Sequence, residues 1–199
     1  MFRHALATLM AAALTITIGM AADPVPVRGT SAAYAPSVDA TVKGQAVRLN
    51  LTGVGLRTRF TFNVYAIASY VQDGAAVRTA EDLARADTVR LLHLVMQRTV
   101  EPSDFIGAFK AAIDKSHPAD EFKAEFTQLA TAVGSTAAAK GDHVTLLSLP
   151  GEGVRIQVAQ SVDVTIKNPA FARALWEVYL GPKPLDEGLK KGMVSMLTR

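Results

Sequence analysis

The sequence predicts an α+β domain: a large antiparallel β-sheet with helices packed on one face, an open-faced β-sandwich. Three observations predict it. Strand-like segments come in blocks, and blocks of helical periodicity separate them, so single βαβ alternation is absent. Within the first block Val47, Leu49 and Leu51 alternate with polar residues, the period of a half-buried strand. Within the helical block Phe105, Phe109 and Ile113, then Phe122, Phe126, Leu129 and Val133, recur at helical spacing.

The elements follow in order. Residues 1–21 read as a secretory signal peptide: Arg3 and His4 precede an apolar, Ala- and Thr-rich run, and Gly19-Met20-Ala21 offers a small-x-small cleavage site. The expected location is therefore periplasmic or secreted. Retention of the run as a membrane anchor is the other reading, since it approaches spanning length. No later apolar run is long enough to span a bilayer, so no stable span is expected after cleavage. Residues 22–37, with Pro24, Pro26, Gly29 and Pro36, read as a flexible lead-in, and 38–199 as one domain.

In that domain Gln45 to Leu51 is a strand, and Gly53-Val54-Gly55 is expected to break it. Leu56 to Val71 reads as one long β-rich run, with Phe60, Phe62 and Val64 on one face and Arg57, Arg59, Thr61, Asn63 and Tyr65 on the other. Val89 to Met96 is another strand. Pro102 opens a helix that His117-Pro118 ends, and Gly134 stops the next. His143–Leu149 and Val154–Val158 flank a Pro150-Gly151-Glu152-Gly153 turn as a hairpin, and 162–166 extends the sheet. Asn168-Pro169 caps a helix carrying Phe171, Leu175 and Val178, and Leu185, Leu189 and Met193 mark the last.

Composition excludes several function classes. Hydrophobic residues at 49% against 20% charged describe a globular chain with a core, not a disordered one. With no cysteine there is no disulfide framework, thiol nucleophile or cysteine zinc site. A net charge of +3 without any run of five Lys or Arg gives nucleic acid no footprint. His4, His93, His117 and His143 show no metal-ligand spacing, and no Gly-rich phosphate loop or G-x-S-x-G elbow occurs, so neither metal nor cofactor is expected. The adjacent pairs Asp120-Glu121 and Asp186-Glu187 read as charges at helix starts rather than acid/base pairs. The Arg57–Tyr65 face reads as either the wet side of a sheet or the wall of a pocket in which Arg and Tyr converge on an anion.

Gly53-Val54-Gly55-Leu56-Arg57, followed by Val64-Tyr65-Ala66-Ile67-Ala68-Ser69-Tyr70-Val71, resembles a signature of chalcone-isomerase-like proteins. Pro150-Gly151-Glu152-Gly153, Asn168 through Trp176, and Leu180-Gly181-Pro182-Lys183-Pro184-Leu185-Asp186 agree in order and spacing. The resemblance covers about residues 40 to 197 and is closest to the bacterial exported branch of the family. It implies the chalcone isomerase-like fold, with a cleft for a flat or elongated apolar ligand between sheet and helices.

Carried over from the family's cyclising enzymes, the catalytic Arg falls on Arg57, and the others on Tyr65, Phe105, Ala112 and Val178. Phe105, Ala112 and Val178 have no side-chain donor or acceptor. Losing one donor to a developing oxyanion typically costs on the order of 100-fold in rate. The resemblance therefore implies a non-catalytic protein that binds a fatty acid or similar amphipathic small molecule. Arg57 and Tyr65 would hold the carboxylate, and Phe105 and Val178 would line the tail pocket. Two alternatives stay open: an isomerase (intramolecular lyase) using Arg57 and Tyr65 on an unknown substrate, and a protein-interaction module with a closed pocket and an unidentified partner.

Overall fold

A computed structural model describes residues 16–18 and 23–197. The strands are β1 (Ile16–Ile18), β2 (Val25–Pro26), β3 (Ala33–Tyr34), β4 (Ser37–Val42), β5 (Gln45–Arg59), β6 (Phe62–Gln72), β7 (Arg90–Met96), β8 (His143–Leu149), β9 (Gly153–Val158) and β10 (Val162–Ile166). The helices are α1 (Ala80–Arg85), α2 (Pro102–Ile113), α3 (Lys123–Val133), α4 (Pro169–Leu180) and α5 (Glu187–Met193). Strands β4 to β10 form one antiparallel sheet in sequence order, and the short β1 adds to the β4 edge. The expected signal segment, 1–21, otherwise lies outside the described residues.

Period-2 alternation splits the sheet into two faces. Ile67, Leu92, Leu94, Leu146 and Ile156 face the helices and pack with Phe109, Phe126, Phe171, Leu175 and Trp176. Ala66, Ala68, Tyr70, Leu91 and Leu147 point the other way into a smaller cluster with Val38, Leu49 and Leu51. Helix α4 is the central buried helix. Asn168 caps it, accepting from the backbone N–H groups of Ala170 (2.9 Å) and Phe171 (3.2 Å). Trp176 Nε1 donates to Ser148 Oγ at 2.8 Å, which satisfies the indole on the sheet. The buried Arg90 stands over the Trp176 ring and donates to the carbonyls of Leu83 and Ala84 at the end of α1.

Several expectations are corrected. Gly53-Val54-Gly55 does not break the strand: β5 runs through it, with a register shift between Leu51 and Gly53. The glycines serve close packing instead. Gly53 sits at φ 153°, and a Cβ there would run into the Gly192 carbonyl oxygen of α5. A Cβ on Gly192 would lie 2.6 Å from the Val54 carbonyl oxygen, so neither side of the crossing tolerates a side chain. The chain turns instead at Phe60-Thr61, so Leu56–Val71 is the end of one strand and most of the next. Phe60 and Phe62 are consequently exposed at the hairpin tip, not buried on a face.

Residues 22–37, expected as a flexible lead-in, pair in part as the β2–β3 hairpin over the sheet's outer face. Val27 and Tyr34 are buried there, and Tyr70 Oη donates to the Ala35 carbonyl at 3.0 Å. Proline and glycine mark this hairpin's turns without keeping it off the core. Asp120 and Glu121 are not in a first helical turn, because α3 begins at Lys123. Asp120 pairs with Lys110 at 3.3 Å, and Glu121 meets His117 at 3.1 Å. Asp186 does cap α5, accepting from the Leu189 N–H at 2.8 Å. Pairing of β7 with β8 also brings His93 and His143 together, Nε2 to Nδ1 at 2.7 Å. Burial, and then the neighbouring His143, hold the His93 imidazole down at about 4.

Gly53→Ala should lower stability by on the order of 3 kcal/mol, because backbone rather than a flexible side chain meets the new methyl. Urea unfolding measures it; an unchanged midpoint would mean that α5 does not lie this close to β5.

Candidate functional site

The site grows from one pair in the sheet. Arg57 and Tyr65 are direct cross-strand partners in β5 and β6, so their side chains leave the same face. The face is shared through pairing across the Phe60 turn, not through periodicity along one strand. Against this pair stand the first turns of α2 and the last turn of α4. Proline at the start of α2 fixes its direction, and Phe105 and Phe109 one turn apart stack with centroids 4.9 Å apart. Phe109 meets Tyr179 of α4 edge-on at 6.1 Å.

These elements enclose a cavity of about 430 Å³. All four residues nominated from sequence, Arg57, Tyr65, Phe105 and Val178, line it, and so does Ala112. Phe109, Val100, Ala108 and Leu185 complete the apolar wall. Of the five residues expected on the arginine face, Arg57, Arg59 and Tyr65 reach the cavity. Thr61 is in the turn, and Asn63 Nδ2 donates to the Gly29 carbonyl at 3.1 Å, tying the tip to the β2–β3 hairpin.

Sequence reasoning missed Tyr179, whose Oη lies 3.1 Å from Tyr65 Oη with both rings buried. Its signal was available: Tyr179 continues the Phe171–Leu175 stripe by one more turn, and it alone there carries a hydroxyl. Arg98 and Lys115 also line the cavity and were missed. They sit just after β7 and just after α2, where no periodic pattern places a side chain.

The lining carries an excess of positive charge among apolar side chains. Arg57, Arg59, Arg98 and Lys115 face one lining acid, Asp104. Arg57 Nη1 also lies 3.6 Å from Asp186 Oδ2, a contact that orients the guanidinium and leaves its other donors free. The two phenols stay neutral. Burial pushes Tyr65 up to about 12, although the bond from Tyr179 and the charge of Arg57 pull the other way. Tyr179 is also raised, first by burial. Desolvation thus outweighs the pull of one partly exposed cation. Two neutral phenols share one hydrogen bond between them, which leaves one O–H free to donate to an acceptor in the cavity. Among the described residues no group of three or more His, Asp or Glu is arranged to hold a metal ion.

All four tyrosines, Tyr34, Tyr65, Tyr70 and Tyr179, are raised by burial. The folded protein should show no tyrosinate absorbance up to roughly pH 11, whereas the chain in denaturant titrates near 10. The sign follows: above about pH 10 the unfolded chain releases phenolic protons that the native state keeps. Stability is then full below about 10 and declines as pH rises toward 12. Tyrosinate appearing near pH 10 with the fold intact would show that these rings are solvated.

The fold and cavity can be set beside known proteins. The family model described as chalcone isomerase-like matches residues 33–195. No curated protein matches the chain. Among solved structures, a fatty-acid binding protein of Arabidopsis thaliana aligns with a TM-score of 0.67 at 16% identity, over 86% of this chain and 96% of that one.

Proposed function

The chain belongs to the chalcone isomerase-like family, and from that premise we propose that it is a non-catalytic binding protein for a fatty acid or a similar amphipathic acid, held in the cleft between sheet and helices. The carrying observation is the cavity itself: about 430 Å³, with Phe105, Ala108, Phe109, Ala112 and Val178 lining it from α2 and α4 and Arg57, Arg59 and Arg98 in the same lining. That volume falls within the usual range for small-molecule sites of about 300–1,000 Å³. Arg57 pairs with the carboxylate, and the free phenol of the Tyr65–Tyr179 pair donates to it. Phe105 and Val178, which leave a cyclase without donors, become the wall against which the tail packs.

The reading draws further support from the Arabidopsis thaliana fatty-acid binding protein, which shares the fold. The isomerase alternative asks Tyr65 to transfer a proton, and a phenol held up at about 12 is far from the pKa that suits that task near neutrality. The module alternative asks for a closed pocket, and a cavity of about 430 Å³ beside Arg57 speaks against it. The N-terminal apolar run, read as a signal peptide, supports a periplasmic or secreted carrier that would intercept amphipathic acids in transit. No helix among the described residues is long and apolar enough to cross a membrane.

Organic extraction of the natively purified protein, followed by mass spectrometry, should release bound acid from the wild type and not from Arg57→Gln. Among added straight-chain acids, affinity should climb by up to about fourfold per methylene until the cavity is full, then level off. Wild type that carries nothing and takes up no added acid overturns the proposal. Cyclisation of a hydroxychalcone, lost in Arg57→Gln, would replace it with the isomerase.

A further inference from the structure

The tip of the β5–β6 hairpin has a composition that folding does not explain. Phe60 is 89% exposed and Phe62 60%, and Met196 is the one other large hydrophobic residue exposed among those described. Phe60 also adopts φ 56°, a region that bulky side chains avoid and that Gly or Asn occupies readily at turns. A phenylalanine here makes a poor turn and buries nothing in the core. Each ring instead carries an arginine: the Arg59 guanidinium carbon is 5.8 Å from the Phe60 centroid, and that of Arg98 is 5.7 Å from the Phe62 centroid. Neither arginine has a carboxylate partner among the described residues. Both also line the cavity. Apolar tip, cationic collar and cavity mouth are therefore one continuous surface.

We propose that this tip docks on an anionic lipid bilayer. Phe60 and Phe62 enter the boundary between headgroups and acyl chains, while Arg59 and Arg98 meet the headgroup phosphates. Docked in this way, the mouth opens onto the layer from which an amphipathic acid is taken or to which it is returned; that consequence rests on the binding reading above. The shape favours a bilayer over a protein partner. Two rings on a two-stranded point penetrate a fluid interface, whereas a protein interface calls for a broader complementary patch. The charge is complementary as well, because cations beside aromatic rings match an anionic leaflet.

The test is co-sedimentation of the protein with vesicles of phosphatidylglycerol and phosphatidylcholine, and with vesicles of phosphatidylcholine alone. It compares wild type with the double variant Phe60→Asn, Phe62→Ser. Asn suits φ 56° better than Phe, so the variant's thermal midpoint should be unchanged or higher. Wild type should sediment with the anionic vesicles and lose binding as salt is added. Binding should fall about tenfold or more in the double variant, and similarly for wild type on the neutral vesicles. Equal binding by both proteins would put attachment elsewhere in the chain, the N-terminal apolar segment included, and overturns the proposal. Indifference to lipid charge, or no binding by wild type, does the same. Extracted acid separates the two readings. If the double variant keeps its acid and its vesicle binding, docking fails alone. If wild type carries no acid yet binds anionic vesicles through the phenylalanines, docking stands and the cavity reading fails.

Discussion

The structure depends on the crossing of α5 over β5. Gly53 and Gly192 let the two backbones meet without an intervening side chain, and Leu189 settles against Gly55. Polar groups lock the contact: the Met193 carbonyl accepts from Ser69 Oγ at 2.6 Å and has Thr52 Oγ1 at 2.9 Å. Both hydroxyls are buried, so the last carbonyl of a seven-residue helix is satisfied by the sheet. The consequences reach the cavity. With its C-terminus fixed, α5 holds Asp186 at its N-terminus, where one carboxylate both caps the helix and orients Arg57. The loop before it is pinned by Leu185 N–H on the Val178 carbonyl at 2.7 Å. Arginine, apolar wall and final helix therefore move as one unit.

That unit resolves a tension between charge and burial. A guanidinium with no partner at the edge of an apolar chamber would bear the full cost of desolvation. Asp186 offsets part of it from the solvent side, at 40% side-chain exposure, so the salt bridge remains open to exchange. The guanidinium is then oriented but not saturated. The phenol pair acts in the same sense, because one hydroxyl is donor to the other and the accepting one keeps its own O–H free for an acceptor.

Much of the fold was legible because it is written in periodicity. The Val47–Leu49–Leu51 alternation in β5, the Phe105–Phe109–Ile113 stripe and the Asn168-Pro169 start each reflect a local rule that tertiary structure left intact. What failed to read was decided by long-range contact. Gly53 and Gly55 look like punctuation, yet their partners are Gly192 and Leu189, far along the chain. The true turn at Phe60-Thr61 carries no turn residues, so alternation seemed to continue through it. Arg57 and Tyr65 were matched through the resemblance, and the cavity wall opposite them was read in outline. Tyr179, Arg98 and Lys115 depend on how α2 and α4 dock, and no local pattern encodes that.

The departures at Phe105, Ala112 and Val178 follow from what each task demands. Stabilising a transition state needs donors aimed at one developing charge, and each substitution by carbon removes one outright. Binding an amphipathic acid needs a cation at one end and surface free of unsatisfied polar atoms along the rest. The same three side chains that subtract from the first task suit the second: Phe105 packs on Phe109, which meets Tyr179 edge-on, and Ala112 and Val178 line the cavity with them. The lining keeps Tyr65, Tyr179, Thr99 and Asp104 among its apolar side chains, so the hydrogen-bonding capacity that remains comes from residues other than these three.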